Sequence, residues 1–147
     1  MKTLYTAEAT ATGGRSGHIR SSDGIIDMDM SVPQGLGGKN GATNPEQLFA
    51  AGYASCFQQA LLVVAQRSNQ KLDPQSTVKC AVSLTQEGEA YGLDVTLDVN
   101  LPGTTDADRM VHEAHRICPY SVGTRGNIDV ALLVNGQPAK VAETDKA

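Results

Sequence analysis

Two cysteines, one arginine and one glutamate are the residues of this chain whose types and surroundings could do chemistry. Cys56 lies in an apolar run, Leu48-Phe49-Ala50-Ala51-Gly52-Tyr53-Ala54-Ser55-Cys56-Phe57, and Cys118 opens Cys118-Pro119-Tyr120-Ser121. A thiolate attacks the O–O bond of a peroxide, and a second thiol can close a disulfide on the oxidised sulfur. An apolar helix interior raises a thiol pKa, so a reactive Cys56 needs a cation. Of Arg15, Arg20, Arg67, Arg116 and Arg125, only Arg15 sits in a glycine-flanked turn, Thr12-Gly13-Gly14-Arg15-Ser16-Gly17, that could bring its guanidinium close to another backbone. Glu46 could anchor it through a bidentate hydrogen bond. Each residue also has a plainer reading. Cys56 could be a small core residue, Arg15 an exposed loop charge, and Glu46 a first-turn carboxylate favoured by the helix dipole.

Other constellations carry less. Cys80 shares an alternating face with Val78, Val82 and Leu84 and reads as core. His112, His115 and Cys118 suggest metal ligands, but on a regular helix the first and last lie about 120° apart and no second cluster completes the set. No nucleophile-elbow motif supports a serine hydrolase. The glycine-rich segments Gly13–Gly17 and Gly35–Gly41 fit neither a phosphate loop nor a dinucleotide fingerprint.

The elements that must position these groups are readable from pattern. Asn44 caps a helix with Pro45 at its first position, running to about Ser68. Its apolar residues from Leu48 to Ala65 occupy nearly every face, so it needs cover on several sides. That cover is either the chain's own sheet or, as we infer, an extensive homodimer interface. Along one straight helix Glu46 and Cys56 would stand ~15 Å apart and about 80° around the axis, too far to touch directly. A second helix is expected near Thr105 to Ile117, opened by a Thr105-x-x-Asp108 capping box, with Ala107, Met110, Val111 and Ala114 on one face. Period-two runs predict half-buried strands at Ile26–Val32, Val78–Leu84, Leu93–Val99 and Ile128–Val134, the last ending at the turn pair Asn135-Gly136. Lys2–Thr12 is a weaker strand, the sheet is expected to be mostly antiparallel, and the tail after about residue 136 is expected to fray.

The chain has 147 residues, enough for one domain with a core burying roughly 68–70% of its unfolded surface. A net charge of −4 without a basic cluster argues against nucleic acid and anionic membranes. No secretory signal pattern is present at the N-terminus, so a cytoplasmic location is expected, where a cysteine pair points to redox or metal chemistry more than to a static disulfide.

Three segments together resemble the organic hydroperoxide resistance (Ohr) proteins of the OsmC-like superfamily: Thr43–Phe57, Thr12–Arg15 with Ser21–Gly24, and Cys118-Pro119-Tyr120-Ser121 with Thr124–Val130. The resemblance implies an α+β OsmC-like fold, with mostly antiparallel sheets around a long apolar central helix in an intertwined homodimer. It implies that Cys56 is the peroxidatic cysteine, Cys118 the resolving one, and Arg15 and Glu46 the polar pair that activates them. It further implies reduction of organic hydroperoxides to alcohols, with no bound cofactor or metal. The Cys56–Cys118 disulfide would be recycled by an external dithiol, the dihydrolipoyl group of a lipoylated protein. Apolar neighbours such as Phe57 and Leu61 would suit alkyl or fatty-acid hydroperoxides. A non-enzymatic thiol redox sensor or ligand-binding dimer is the competing reading, distinguished by the absence of sustained turnover.

Overall fold

The computed structural model describes residues 1–140, and the chain divides into two compact units, Met1–Leu48 and Phe49–Ala147. In the first unit β1 (Ala9–Thr12), β2 (His18–Ser21) and β3 (Asp27–Asp29) form an antiparallel sheet in sequence order. Thr12 pairs with His18 across the β1–β2 connection, and His18 with Asp29 across β2 and β3. The connection is a tight loop holding a 3₁₀ turn, Gly14–Ser16, with Gly13 at φ 80°. Gly17 closes it, and no other residue fits there: a Cβ would lie 1.7 Å from the Thr12 carbonyl oxygen. Arg15 is thereby carried at the tip of a constrained turn.

The expected strand from Ile26 to Val32 is shorter, Asp27–Asp29, extended only by a parallel bridge from Met30 to Thr43. Of its apolar face, Met30 is buried while Ile26 and Met28 are exposed, so alternation here marks an apolar face that is only partly covered among the described residues of its own unit.

Helix α1 (Pro45–Arg67) has the predicted bounds. The Asn44 Oδ1 accepts the Gln47 backbone N–H at 2.9 Å, and Pro45 fills the first position, where its missing N–H costs nothing. Asn69 ends it at φ 55°, with the Asn69 and Gln70 N–H groups donating to the Gln66 and Ala65 carbonyls, a Schellman closure with asparagine in the usual glycine position.

The second unit contains a four-stranded sheet in the order β4 (Thr77–Glu87), β5 (Ala90–Asn100), β6 (Val130–Val134), β7 (Gln137–Pro138). Gly88 at φ 61° makes the two-residue β4–β5 turn, and Asn135 and Gly136, both at positive φ, make the β6–β7 turn. The tail expected to fray from residue 136 thus begins as a paired strand; residues 141–147 lie outside the described residues. Antiparallel pairing dominates as expected, except that β6 runs parallel to β5, Val95 opposite Val130. A parallel neighbour demands a crossover, and α2 (Ala107–Ile117) and α3 (Pro119–Thr124) supply it. The Thr105-x-x-Asp108 box does not form. Asp106 takes the cap position, gripped by Arg109 at 2.7 Å, and Asp108 instead accepts the Lys140 backbone N–H at 3.2 Å.

The core joins one stripe of α1 (Tyr53, Phe57, Ala60, Leu61, Val64, Ala65) to Val95, Leu97 and Val99 of β5 and to Met110, Val111 and Ala114 of α2. Burying this stripe stabilises the second unit at about 25 cal/mol per Å² of apolar surface removed from water. The opposite stripe of α1, from Ala51 through Ser55 and Gln59 to Leu62, is exposed. Phe57 and Leu61, expected to face substrate, are fully inside the core, because their i, i+4 spacing continues the Tyr53 stripe.

Candidate active site

The four predicted site residues fall into two clusters, one in each unit. In the first, Arg15 and Glu46 form a two-pronged ion pair, Nη1 to Oε2 at 2.8 Å and Nη2 to Oε1 at 2.6 Å. The planar fork fits the carboxylate, and the bonds hold the Glu46 carboxyl below its ordinary range and the Arg15 guanidinium above its own. The other arginines are engaged elsewhere or lie at a helix end. Arg20 approaches Asp27 at 3.9 Å, Arg116 pairs with Glu113, Arg125 donates to the His115 carbonyl, and Arg67 closes the last turn of α1.

In the second cluster, the Cys118 thiol donates to the Cys56 sulfur at 3.6 Å. Both are free thiols, Cys118 fully buried and Cys56 partly so. The meeting has a local cause. Cys118 adopts extended backbone, φ −62° and ψ 125°, because Pro119 excludes helical geometry in the residue before it, and the chain then restarts as α3 with Pro119 at its first position. That corner turns the Cys118 side chain toward α1. Burial pushes the Cys56 thiol pKa up; the nearby Tyr120 backbone amide opposes this, and the neighbouring Cys118 adds to the rise.

Cys80 stays in the sheet face, where burial pushes its thiol up to about 11, as a core cysteine's should be. No group of three or more metal-ligating side chains occurs among the described residues. His115 has a different partner from the metal reading: its Nδ1 hydrogen-bonds the Ser121 hydroxyl at 2.8 Å, and that hydroxyl hydrogen-bonds the Tyr53 hydroxyl at 2.7 Å.

An aromatic cluster completes the surroundings. Tyr120 packs against Phe49 and Tyr53, ring centroids 6.0 and 5.5 Å away, with its hydroxyl over Gly52, where an added Cβ would be 2.6 Å distant. Tyr120 is 39% exposed, so it is the open apolar surface beside the thiols in place of Phe57 and Leu61. Sequence reasoning missed Tyr53, Ser121 and Tyr120. The signal for Tyr120 was available: an aromatic two residues after a candidate cysteine, opposite the only glycine inside the long helix.

A family model described as OsmC-like protein matches residues 38–132. An organic hydroperoxide resistance protein of Xanthomonas axonopodis pv. citri (strain 306) is 48% identical over 136 residues, 90% of this chain and 96% of that protein. Among solved structures, an organic hydroperoxide resistance protein from Legionella pneumophila matches with a TM-score of 0.85 at 44% identity, covering 90% of this chain and 98% of that one. One from Elizabethkingia anophelis matches with a TM-score of 0.84 at 47% identity, covering 91% and 98%.

Proposed function

Given that the chain belongs to the OsmC-like protein family, in its organic hydroperoxide resistance branch, we propose that it is a cysteine-based peroxidase that reduces organic hydroperoxides to alcohols. The observation that carries this reading is the 3.6 Å approach of two free thiols separated by 62 positions in sequence. A structural core cysteine has no need of such a partner, whereas a resolving thiol has to stand within reach of the sulfur that is oxidised.

The Cys56 thiolate attacks the terminal oxygen of the hydroperoxide. The O–O bond breaks, an S–O bond forms, and the departing alkoxide takes a proton to become the alcohol. The Cys118 sulfur then attacks the Cys56 sulfenic acid, an S–S bond forms, and the sulfenic oxygen leaves as water with the Cys118 proton. An external dithiol returns the disulfide to two thiols. That reductant is a dihydrolipoyl group carried by a lipoylated protein, and the reaction runs in the cytosol without a bound cofactor.

Burial alone keeps Cys56 protonated, so the reading assigns the Arg15 guanidinium to stabilise the thiolate and Glu46 to hold the guanidinium in place. Tyr120 and Phe49 give an alkyl or fatty-acid chain apolar surface, at roughly 0.8 kcal/mol per buried methylene, which hydrogen peroxide cannot use. The active form in this reading is a homodimer. Exposed Leu4, Tyr5, Ile25 and Leu62 support that assignment, as does the limited cover on α1.

Steady-state consumption of an alkyl hydroperoxide with dihydrolipoamide tests the proposal. Cys56→Ser should abolish turnover, Cys118→Ser should retain one oxidation per subunit, and Arg15→Ala should lose about 100-fold in kcat/KM. Unchanged consumption by Cys56→Ser overturns it.

A further inference from the structure

We infer that Tyr53, Ser121 and His115 form a polar strap that sets the spacing of the two thiols, with Ser121 as its joint. Each member lies three residues from a cysteine: Tyr53 before Cys56, His115 before Cys118 and Ser121 after it. Three residues is about one helical turn, so Tyr53 sits one turn before Cys56 on α1, while His115 in α2 and Ser121 in α3 flank the extended Cys118 corner from its two sides. The Ser121 hydroxyl is bonded on one side to His115 Nδ1 at 2.8 Å and on the other to the Tyr53 hydroxyl at 2.7 Å. The first bond ties α2 to α3 across the Cys118-Pro119 corner. The second ties that corner to α1, the helix that carries Cys56.

The strap is placed where a polar group is costly unless paired. Tyr53 and Ser121 are both fully buried. With His115 accepting at Nδ1, Tyr53 donates to Ser121 and Ser121 to His115; with the other tautomer the chain runs in reverse, and in either sense every member has a partner. Burial holds His115 toward its neutral form, which allows both senses. Apolar packing of α1 on the corner would permit sliding, whereas hydrogen bonds fix direction as well as distance.

The consequence falls on one step. Closing the disulfide brings the sulfurs from 3.6 Å to about 2.05 Å, so Cys118 must approach along a defined line. A joint one turn away that restrains both helices raises the effective concentration of one thiol at the other. Tyr53 and Ser121 are thus positioning residues for disulfide closure, with no part in the attack on the O–O bond. This rests on Cys56 and Cys118 being a redox pair, and its test does not depend on peroxide.

The experiment equilibrates the full chain in glutathione redox buffers and quantifies the Cys56–Cys118 disulfide by peptide mass spectrometry for wild type, Tyr53→Phe, Ser121→Ala and Ala60→Gly. Tyr53→Phe keeps the ring and removes only the hydroxyl. Ala60→Gly loosens the same helix in the core without touching the strap. The expected result is a tenfold or greater fall in effective thiol concentration for Tyr53→Phe and Ser121→Ala, with Ala60→Gly within twofold of wild type. Values for Tyr53→Phe and Ser121→Ala equal to wild type, or lowered only as far as Ala60→Gly lowers them, overturn the strap. Hydroperoxide consumption by the wild type, measured in parallel, decides the peroxidase reading separately.

Discussion

Replacing Gly52 by alanine sets two effects of known size against each other. In a helix interior, glycine to alanine stabilises by roughly 0.5–1 kcal/mol, because the glycine backbone loses more freedom on folding. At this site the new methyl would lie 2.6 Å from the Tyr120 hydroxyl oxygen and 3.2 Å from its ring carbon Cζ. The ring must then retreat by about 0.8 Å to reach ordinary van der Waals distance. Tyr120 is at the far end of a flexible, partly exposed side chain, so it can move, but doing so loosens its packing on Phe49 and Tyr53, each pair contributing ~0.5–1.5 kcal/mol. The clash wins, and Gly52→Ala should destabilise by about 1 kcal/mol, a fall in Tm of roughly 3 °C for a chain of this size. In a Tyr120→Ala background the same substitution should stabilise by about 0.5–1 kcal/mol, since nothing remains to collide with. A double-mutant cycle in urea reads the coupling between positions 52 and 120 directly, expected near 1.5–2 kcal/mol. If Gly52→Ala raises stability equally in both backgrounds, the ring is not seated over Gly52, and the aromatic surface assigned to Tyr120 falls with it.

Three further outcomes follow from the same contacts. Asn44→Ala removes the side-chain acceptor for the Gln47 N–H and should cost ~1 kcal/mol, read as a lowered urea midpoint with the slope unchanged. Glu46→Gln should cost about 1 kcal/mol at neutral pH, toward the low end for a charged hydrogen bond because Arg15 is 36% exposed and screened. Since Arg15 depresses the Glu46 pKa, that contribution is complete above the ordinary carboxylate range and is lost as pH falls through the depressed value, so the Tm difference between wild type and Glu46→Gln should vanish in acid. Cys80, with its thiol at about 11, should be alkylated at pH 8 far more slowly in the native than in the denatured protein, and Cys80→Ala should leave hydroperoxide turnover within twofold.

What the sequence disclosed depended on whether one residue could carry a signal alone. Asn44 and Pro45 each have a single physical reason to stand at a helix start, and α1 begins where they place it. Alternation located β4, β5 and β6 but not their directions, because a period of two reports which face is apolar and says nothing about which way a neighbour runs. Helix α3 was illegible: six residues, Pro119-Tyr-Ser-Val-Gly-Thr, hold too little periodicity and too many poor helix formers. Within the candidate site the cysteines, Arg15 and Glu46 were found because thiols and a glycine-set charge stand out by type. Tyr53 looked like one more apolar residue of α1 and Ser121 like an ordinary turn serine; only their pairing across 68 positions gives them meaning, and pairing is a tertiary fact.

The parallel pairing of β6 with β5 also orders events in time. Cys118 rides on the crossover between those strands, and α2, which leads into it, shares a core with Ile128, Val130 and Leu132. A chain still being synthesised can form α1 and the β4–β5 hairpin from local contacts, but the connection that carries the second thiol has no sheet edge to return to until Val130–Val134 has been made. The strand that follows the second thiol, β6, is therefore the one whose pairing closes the longest loop of this sheet. Cys56 precedes that loop on α1 and Cys118 lies within it, so the thiol pair joins the part of the unit built before the β4–β5 hairpin to the part built after it.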